Sequence, residues 1–261
     1  MIEPFLFPLA GLIVGLIVGI TGVGGGALMA PILLLAFDMD PLTVVATDLL
    51  FATITKLAVT QGHHKNALID WQIATRLWSG SIPATLTVLI FVQQGLVATT
   101  IDWITHLIGV LILVSAISMV FSNKIQIVFS ELRVENPRYF LSLQPLFTRL
   151  AGVILGSLVT ITSIGAGALG AVFLKGLYPL RMEPKKLIAT DTIHAIPVSM
   201  LGGVSYLLLG FTDVPTLALL LIGSIPGAIL GGKIMFTLPV NAMRIILSVV
   251  LSVAGWKLLQ T

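Results

Sequence analysis

The chain has 261 residues, of which 57% are hydrophobic and only 10% are charged. A soluble domain has roughly 45–50% apolar and 25% charged residues, so this composition excludes a soluble globular protein and indicates an integral membrane protein. The absence of cysteine excludes disulfides, thiolate metal sites and cysteine nucleophiles. The formal net charge is +3, and we interpret the basic residues as determinants of membrane topology rather than of nucleic-acid binding.

Hydropathy and the positions of glycine and proline divide the chain into two similar series of elements. The predicted elements, in chain order, are an apolar block at 5–37, helices at 42–61, 71–93 and 101–121, a polar connection, a second block at 144–178, and helices at 185–209, 214–236 and 241–259. We therefore divide the chain into a first repeat (1–121), a connection that leads into the second repeat (122–149) and the second repeat (150–261). Together they are expected to form one transmembrane domain.

Internal sequence identity supports this division. Residues 11–30 match residues 152–171 at eleven of twenty positions, including several glycines. Residues 41–83 match residues 184–226 at eleven positions without a gap, and most of these are polar residues, glycine or proline. General hydrophobicity does not force such positions to coincide, so the pattern indicates a gene duplication.

The placement of Lys and Arg predicts the orientation in the membrane. Twelve of the fourteen Lys and Arg residues lie at helix ends that can share one face, which is expected to be cytoplasmic and to include the connection at 122–149. The connections at 38–41, 94–100 and 210–213 carry no Lys or Arg, and they are expected to lie outside together with both termini. Corresponding loops of the two repeats then lie on opposite faces, so the repeats are predicted to have inverted topology.

The length of the first apolar block indicates a broken helix. Residues 5–37 would extend about 50 Å as one straight helix, which is too long for a bilayer, and they are too few for two full spans. We expect a broken or re-entrant helix pair that makes no net crossing, so that each repeat crosses the membrane an odd number of times, as inversion requires. The predicted fold is an all-α integral membrane protein of two inverted repeats, each with such a pair plus three transmembrane helices.

The glycine clusters inside the two apolar blocks form the predicted substrate site. A helix break at membrane depth leaves free N–H groups at the start of the next helix, and these groups attract an anion that glycines allow to approach closely. Hydroxyl groups beside the breaks are additional donors. The predicted anion-binding residues are Thr21, Gly22, Val23, Gly24, Gly25, Gly26, Thr162, Ser163, Gly165, Ala166 and Gly167. The alternative role for small residues is close helix packing, which we favour for Gly11, Gly15 and Gly19.

Several polar residues lie within the predicted spans. Asp48 and Asp191 are about 10 Å inside their helices, where an ionised carboxylate is costly, so we consider a role in coupling or gating. The alternative is a carboxyl group that is hydrogen-bonded to backbone at a helix break. Asp191 and His194 share a helix face and could relay a proton. The other residues considered for coupling or gating are Thr47, Thr190 and Lys56. Lys56 could pair with the anion or with Asp48, but we expect it instead to extend its ammonium group to the cytoplasmic surface, about a turn and a half away.

Two further pairs of polar residues recur in both repeats. Asp70 and Asp213 each precede a predicted helix and are expected to be N-caps. The two Gly-Ser-Ile-Pro sequences, which contain Ser81 and Ser224, are predicted to kink their helices and to turn these hydroxyl groups toward the site.

The motifs resemble those of a known family. Residues 15–31, the two Ala-Thr-Asp segments, residues 66–71 and the second glycine motif are similar to the sulfite exporter TauE/SafE family, also called the toluene sulfonate uptake permeases. The most specific element is the cluster at 22–26 followed by Pro31, which recurs in weaker form at 163–170. The resemblance covers nearly the whole chain and implies a carrier of the bacterial or archaeal inner membrane for sulfite, sulfonates and related sulfur-containing anions.

Three functional hypotheses follow from these patterns. The leading one is a secondary carrier that moves a small sulfite-like or organosulfonate anion by alternating access between the two glycine clusters. The alternatives are an anion channel and an intramembrane enzyme that uses Asp48, Asp191 and His194 as acids and bases. The sequence predicts no enzyme activity, cofactor, metal site or nucleic-acid partner. The expected partners are the anion and the lipid bilayer.

Overall fold

The computed structural model describes residues 3–21, 26–65, 68–95, 101–135, 137–165, 167–234 and 240–260. These residues form ten α-helices and no β-strand, so the predicted all-α class is confirmed. The helices are α1 (Glu3–Thr21), α2 (Gly26–Ala36), α3 (Pro41–Lys65), α4 (Trp71–Gln93), α5 (Ile101–Glu135), α6 (Pro137–Thr162), α7 (Ala168–Leu177), α8 (Pro184–Leu208), α9 (Val214–Ile234) and α10 (Val240–Leu258).

Six of these helices contain a segment long and apolar enough to cross a membrane. The segments are Pro41–Thr60, Trp71–Gln93, Trp103–Phe121, Leu141–Thr162, Pro184–Leu208 and Val214–Ile234. Helices α1, α2, α7 and α10 contain shorter apolar stretches of 10–17 residues. By length and composition the chain is therefore a multi-pass membrane protein.

Both predicted apolar blocks are broken. Residues 22–25 separate α1 from α2, and residues 163–167 separate α6 from α7. Helices α3 and α8 begin at Pro41 and Pro184, and each has 25 residues. Proline suits the first helical turn because its fixed φ fits the helix and its missing N–H would have no partner there. The positions of the second break and of both prolines are as the sequence predicts, while residues 22–25, where the first break is predicted, lie outside the described residues.

The predicted polar connection is largely helical. The helix predicted at 101–121 continues to Glu135, and α6 already begins at Pro137. Residues 122–135 contain neither glycine nor proline, so nothing in the sequence interrupts the helix where the apolar segment ends. Hydropathy predicts where the apolar segment of a helix ends. Helix α5 continues beyond that point, so its end was predicted too early.

Helix α1 packs directly against α9 through a row of glycines. A methyl group on any of them would overlap the α9 backbone. The contacts are Gly11 with Leu220, Gly15 with Ser224, and Gly19 with Ala228. The residue numbers rise together, so α1 and α9 run in the same direction. The packing role predicted for these three glycines is confirmed.

Helix α6 packs against α4 in the same manner. A methyl group on Gly152 would overlap Leu77, and one on Gly156 would overlap Ser81. These helices also run in the same direction. The internal repeat aligns these four residues with contact residues of α1 and α9. The first long helix of each half of the chain therefore packs against a helix of the other half.

Helices α3 and α8 form the centre of the molecule. Buried residues make up 78% of the apolar segment of α3 and 72% of that of α8, against 33–44% in the other four spans. Thr53 Oγ1 donates to Ser199 Oγ at 2.9 Å, and Leu49 contacts Gly202. The residue numbers rise on α3 as they fall on α8, so the two helices are antiparallel.

Helices α5 and α10 are a second antiparallel pair. Gly109 contacts Leu259 and the carbonyl oxygen of Gly255, while Leu113, one turn further along α5, contacts Gly255. The corresponding long helices of the two halves therefore run in opposite directions in both pairs, α3 with α8 and α5 with α10.

Candidate functional site

The first helix break lies between Thr21, the last residue of α1, and Gly26, the first residue of α2. Gly22, Val23, Gly24 and Gly25 lie outside the described residues. Thr21 is buried, and its hydroxyl donates to the carbonyl oxygen of Ile17 at 2.7 Å. This predicted hydroxyl donor therefore binds its own helix.

The second break is a tight turn that depends on glycine. Gly165 has φ of 133° and Gly167, the N-cap of α7, has φ of 108°. L-residues rarely adopt these backbone conformations, whereas glycine does so at little cost. Ser163 also has a positive φ, 59°, in the left-handed region. The N–H of Gly170 donates to the carbonyl oxygen of Gly165 at 3.0 Å and closes the turn, while Ala166 lies outside the described residues.

The hydroxyl groups at this break have different roles. Thr162 Oγ1 donates to the carbonyl oxygen of Leu158 at 2.7 Å and accepts from the N–H of Ile164 at 3.2 Å, so it stabilises the end of α6. Ser163 Oγ is buried and forms no hydrogen bond with a described residue. Of the predicted hydroxyl donors at this break, Ser163 is the one whose hydroxyl group does not bind its own helix, and it lies beside the Asp48 carboxylate.

The two predicted membrane carboxylates lie beside this break. Asp48 on α3 and Asp191 on α8 are 0% and 2% exposed. The carboxylate of Asp48 faces the Ser163 hydroxyl, and that of Asp191 faces the backbone N–H of Gly167. Neither carboxylate forms a hydrogen bond within the described part of the chain. The Asp191 carboxylate thus lies beside the backbone of the break, as the alternative of a backbone-bound carboxyl group predicts, although no hydrogen bond of full geometry joins them, so that alternative stays a prediction.

Gly170 is a site residue that the sequence did not reveal. It lies in the first turn of α7, and a methyl group on it would overlap Asp191 Oδ1. The absence of a side chain at Gly170 thus lets the Asp191 carboxylate reach the start of α7. The internal repeat aligns Gly170 with Met29. This difference between the two halves is the only sequence signal for Gly170.

Lys56 does not reach the membrane surface. It lies on α3 two turns after Asp48 and is only 2% exposed, so the predicted position at the cytoplasmic surface is wrong. The reason is that α8 and α9 cover this face of α3: Thr53 binds Ser199 and Thr55 Oγ1 binds Ser224 Oγ at 3.0 Å. Lys56 is instead close enough to interact electrostatically with both buried carboxylates.

His194 completes the buried polar group. It is 1% exposed, and its Nε2 lies 3.1 Å from Ser81 Oγ. Its carbonyl oxygen accepts from Trp78 Nε1 at 3.0 Å. Its Nδ1 forms no hydrogen bond with any residue the structure describes, Asp191 included, so the predicted relay between the two side chains is not joined directly.

The Gly-Ser-Ile-Pro sequences lie within continuous helices. Both α4 and α9 continue past their prolines to Gln93 and Ile234. Ser81 and Ser224 are fully buried, and they face His194 on α8 and Thr55 on α3, respectively. Both serines thus face the central helices, while their predicted orientation toward the glycine clusters and the predicted kinks stay predictions.

Thr47 and Thr190 join the two halves of the chain. The N–H of Asp213 donates to Thr47 Oγ1 at 3.1 Å, and the N–H of Asp70 donates to Thr190 Oγ1 at 3.0 Å. The two bonds are equivalent under the internal repeat, since 143 residues separate both Asp70 from Asp213 and Thr47 from Thr190. These threonines hold connecting segments rather than the helix breaks.

Asp70 and Asp213 are N-caps, as predicted. Asp70 Oδ1 accepts from the N–H of Ile73 at 3.4 Å, and Asp213 Oδ1 accepts from the N–H of Thr216 at 3.2 Å. Asp70 additionally binds Arg181, with 2.7 Å between Oδ2 and Nε. No local sequence signal predicts this contact, because the partners are 111 residues apart.

Comparison with known proteins identifies the family. The profile described as Sulfite exporter TauE/SafE matches residues 7–258. The chain is 32% identical to the probable membrane transporter protein YjnA of Bacillus subtilis (strain 168) over 258 residues, which cover 96% of this chain and 98% of the relative. It is 27% identical to a probable membrane transporter protein of Methanocaldococcus jannaschii, covering 96% and 93% of the two chains. It is 24% identical to the probable membrane transporter protein YdhB of B. subtilis, covering 95% and 96%. No solved structure matches the chain significantly.

The family match covers all ten described helices except the first residues of α1. The relatives are probable membrane transporters rather than enzymes. The resemblance seen in the glycine motifs is confirmed by a match over nearly the whole sequence. The chain therefore belongs to the TauE/SafE sulfite exporter family and is a multi-pass membrane transporter.

Proposed function

We propose that the chain is a secondary carrier for a small anion, such as sulfite or an organosulfonate, which it binds at mid-membrane between the two helix breaks. The observation that carries this proposal is the buried group of charged and polar side chains on α3 and α8, beside the break between α6 and α7. Such a group is costly inside a membrane and marks a functional site by default. The sequence has no nucleotide-binding motif, so an ion gradient or the anion's own potential drives transport.

The chemistry of the breaks favours an anion. The N-terminus of α7 presents backbone N–H groups beside the buried Ser163 hydroxyl, and in this proposal the anion shares these groups with the Asp191 carboxylate, which faces the N–H of Gly167. Helix N-termini attract anions through these groups and the helix dipole. The description of the family as sulfite exporters supports a sulfur oxyanion. In this proposal the predicted residues of both glycine clusters, 21–26 and 162–167, contact the anion.

The helix directions support two repeats of inverted topology. Helices α3 and α8 occupy equivalent places in the two halves and are antiparallel, as are α5 and α10. Helix α1 runs parallel to α9, and α6 runs parallel to α4, so equivalent helices of the two halves pair in the same way. In such carriers, one set of helices moves against the other around a central site, which opens alternately to the two faces.

The basic residues support one orientation. The face that carries Arg181 and Lys186 would be cytoplasmic, as would the connection at 122–149, and both termini would lie outside. The protein would then reside in the cytoplasmic membrane of a bacterium or archaeon. The two repeats would comprise residues 1–121 and 150–261.

The two carboxylates provide a means of coupling. An anion beside Asp48 and Asp191 is repelled while both are ionised, and a proton on either one removes part of this repulsion. In this proposal the carrier takes up a proton with each anion, and His194 is a second group able to exchange it. Thr47 and Thr190 hold the connecting segments in place while α3 and α8 move.

Flux into proteoliposomes tests the substrate assignment. We expect saturable uptake of sulfite or sulfoacetate and counterflow when the opposite side is loaded with the same anion. Conduction far faster than a carrier, without counterflow, would mean an anion channel. Neither binding nor flux of these anions would refute the substrate class.

A serine variant tests the site. Ser163→Ala is expected to raise the Kd for sulfite about tenfold while the protein remains folded, since the hydroxyl forms no hydrogen bond with described backbone and lies beside the Asp48 carboxylate. The matched control is Ser115→Ala on α5, which removes another buried hydroxyl without a described partner. Equal affinities for both variants would remove Ser163 from the site.

Asparagine variants test the coupling. In Asp48→Asn and Asp191→Asn, uptake is expected to lose part or all of its dependence on an imposed pH gradient. A dependence identical to that of the wild type in both variants would show that neither carboxylate carries the proton.

A further inference from the structure

Lys56 lies where the two central helices cross. Thr53, one turn before it, binds Ser199 of α8 at 2.9 Å, and Leu50 lies against the backbone of Gly203. The internal repeat aligns Lys56 with Ser199, since 143 residues separate them. The lysine and the residue equivalent to it are therefore both at the crossing of α3 and α8, which is the middle of each helix.

This lysine is a buried cation in an environment dominated by acids. Within the described residues, its ammonium group has no ion-pair partner, since the ion pairs found there both involve Asp70. It interacts electrostatically with Asp191 on α8 and with Asp48 on α3. Burying an ammonium group without a close counter-ion costs free energy. An anion that binds beside the ammonium group recovers this energy, so the position favours an anion over water.

The crossing of α3 and α8 contains one lysine, Lys56, and the equivalent position on α8 has no basic residue. Ser199 is uncharged, and no other Lys or Arg with a described side chain on α3 or α8 is buried. The other buried polar side chains at the crossing are hydroxyl groups: those of Thr53 and Ser199 bind each other, and that of Thr55 binds Ser224. The lysine at the centre of this helix pair thus comes from the N-terminal half alone.

We propose that the ammonium group of Lys56 is the counter-charge that binds the transported anion at the centre of the membrane. This inference rests on the proposed carrier function and adds the residue that neutralises the substrate. One fixed cation matches an anion of one negative charge, such as a sulfonate or hydrogen sulfite. A lysine is a compact point charge with three donors, which suits a rounded three-oxygen head group.

Anion binding to purified variants tests this role. Lys56→Gln is expected to raise the Kd for sulfite and sulfoacetate by about a hundredfold, because truncating one member of a buried charge pair is costly, and Lys56→Arg by far less. The control is Lys124→Gln, which removes an exposed lysine of α5 and should leave the Kd unchanged. Size-exclusion profiles and melting temperatures establish that each variant is folded.

The internal repeat provides a second variant that remains informative if Lys56→Gln unfolds. The exchange Lys56→Ser with Ser199→Lys moves the cation to the equivalent position at the same crossing. We expect it to restore binding to within about tenfold of the wild type, a margin of roughly 1.4 kcal/mol.

The outcomes separate the two proposals. If the wild type binds these anions and folded Lys56→Gln binds them equally well, the lysine is structural and this inference is wrong, while the carrier proposal stands. If the exchange variant folds but does not bind, a charge at the crossing is insufficient and the inference is also wrong. If the wild type binds none of the anions, the proposed function fails, and the inference that rests on it fails too.

Discussion

Arg181 binds both carboxylate oxygens of Asp70, through Nε at 2.7 Å and a terminal nitrogen at 2.9 Å. Lys186 adds a second cation, 3.1 Å from the same carboxylate. Asp70 precedes α4 and the two cations flank the start of α8, so this group of charges joins the two halves of the chain at one end of the central helices. Because Asp70 is only 4% exposed, the contact is screened less by water and salt than a surface ion pair.

Among the described residues, the other end of the central helices has no such ion pair. The aligned carboxylate is Asp213, and the positions 143 residues before Arg181 and Lys186 hold Asp38 and Thr43. Asp213 is instead bound by the N–H and hydroxyl groups of Thr216. The two ends of the central helix pair are equivalent under the internal repeat. The contacts that join the two halves of the chain are nevertheless stronger at the Asp70 end than at the Asp213 end.

Arg181→Ala is expected to open the end at Asp70. The chain has no cysteine, so a single Thr192→Cys substitution can report access, because Thr192 is buried on α8 next to Asp191. Adding Arg181→Ala should raise the labelling rate of this cysteine by a membrane-impermeant maleimide severalfold. Arg149→Ala, which removes an exposed arginine of α6, is the control. Equal labelling rates in the two backgrounds would mean that the Asp70 contact does not limit access.

The two reciprocal threonine bonds should differ in strength. Thr190→Val leaves the N–H of Asp70 buried without its partner and is expected to cost about 1–3 kcal/mol of stability. Thr47→Val removes the equivalent partner of Asp213, which is half-buried and can bind water, so we expect about 0.5–1.5 kcal/mol. Melting temperatures in detergent measure the order, and a larger loss for Thr47→Val would contradict this account.

The glycines of α1 should tolerate no side chain. Gly15→Ala is expected to lower the melting temperature strongly or prevent folding, because its methyl group overlaps the α9 backbone at Ser224. The matched control is Gly232→Ala on α9, where an added methyl group has only Val59 nearby, at 3.6 Å. Alanine there should be neutral or stabilise the helix by up to about 1 kcal/mol. Similar melting temperatures for both variants would contradict the packing.

Gly170 should matter for transport more than for folding. Gly170→Ala is expected to displace the Asp191 carboxylate and to reduce sulfite flux at least about tenfold, since misplacing a functional group by about 1 Å has large effects. Gly176→Ala, on the same helix, brings a methyl group to an ordinary 3.6 Å from Phe129 and should retain flux. Wild-type flux in Gly170→Ala would show that Asp191 does not need this position.

Much of the fold is predictable because its signals are local. Pro41 and Pro184 fix the starts of the central helices, and Asp70 and Asp213 cap the helices that follow, through contacts within a few residues. The breaks follow from a length that fits neither one span nor two. Each of these features depends either on residues that are close in sequence or on the thickness of the bilayer.

The features that sequence reasoning missed depend on contacts between distant segments. The depth of Lys56 follows from the covering of α3 by α8 and α9, whereas counting residues to the nearest loop placed it at the surface. Gly170 matters only because Asp191 lies against it. The contact between Asp70 and Arg181 has no counterpart in the other half, so the repeat could not reveal it.

The packing of α1 against α9 also has a consequence for biosynthesis. Gly11 contacts Leu220, about 200 residues further along the chain, which a ribosome adds in roughly 10–40 s at 5–20 residues per second. During that time the first helix is in the membrane without the partner that fits its glycine face. The fold therefore closes only when the ninth helix has been inserted, and a protein shortened before α9 would leave its first helix unpaired.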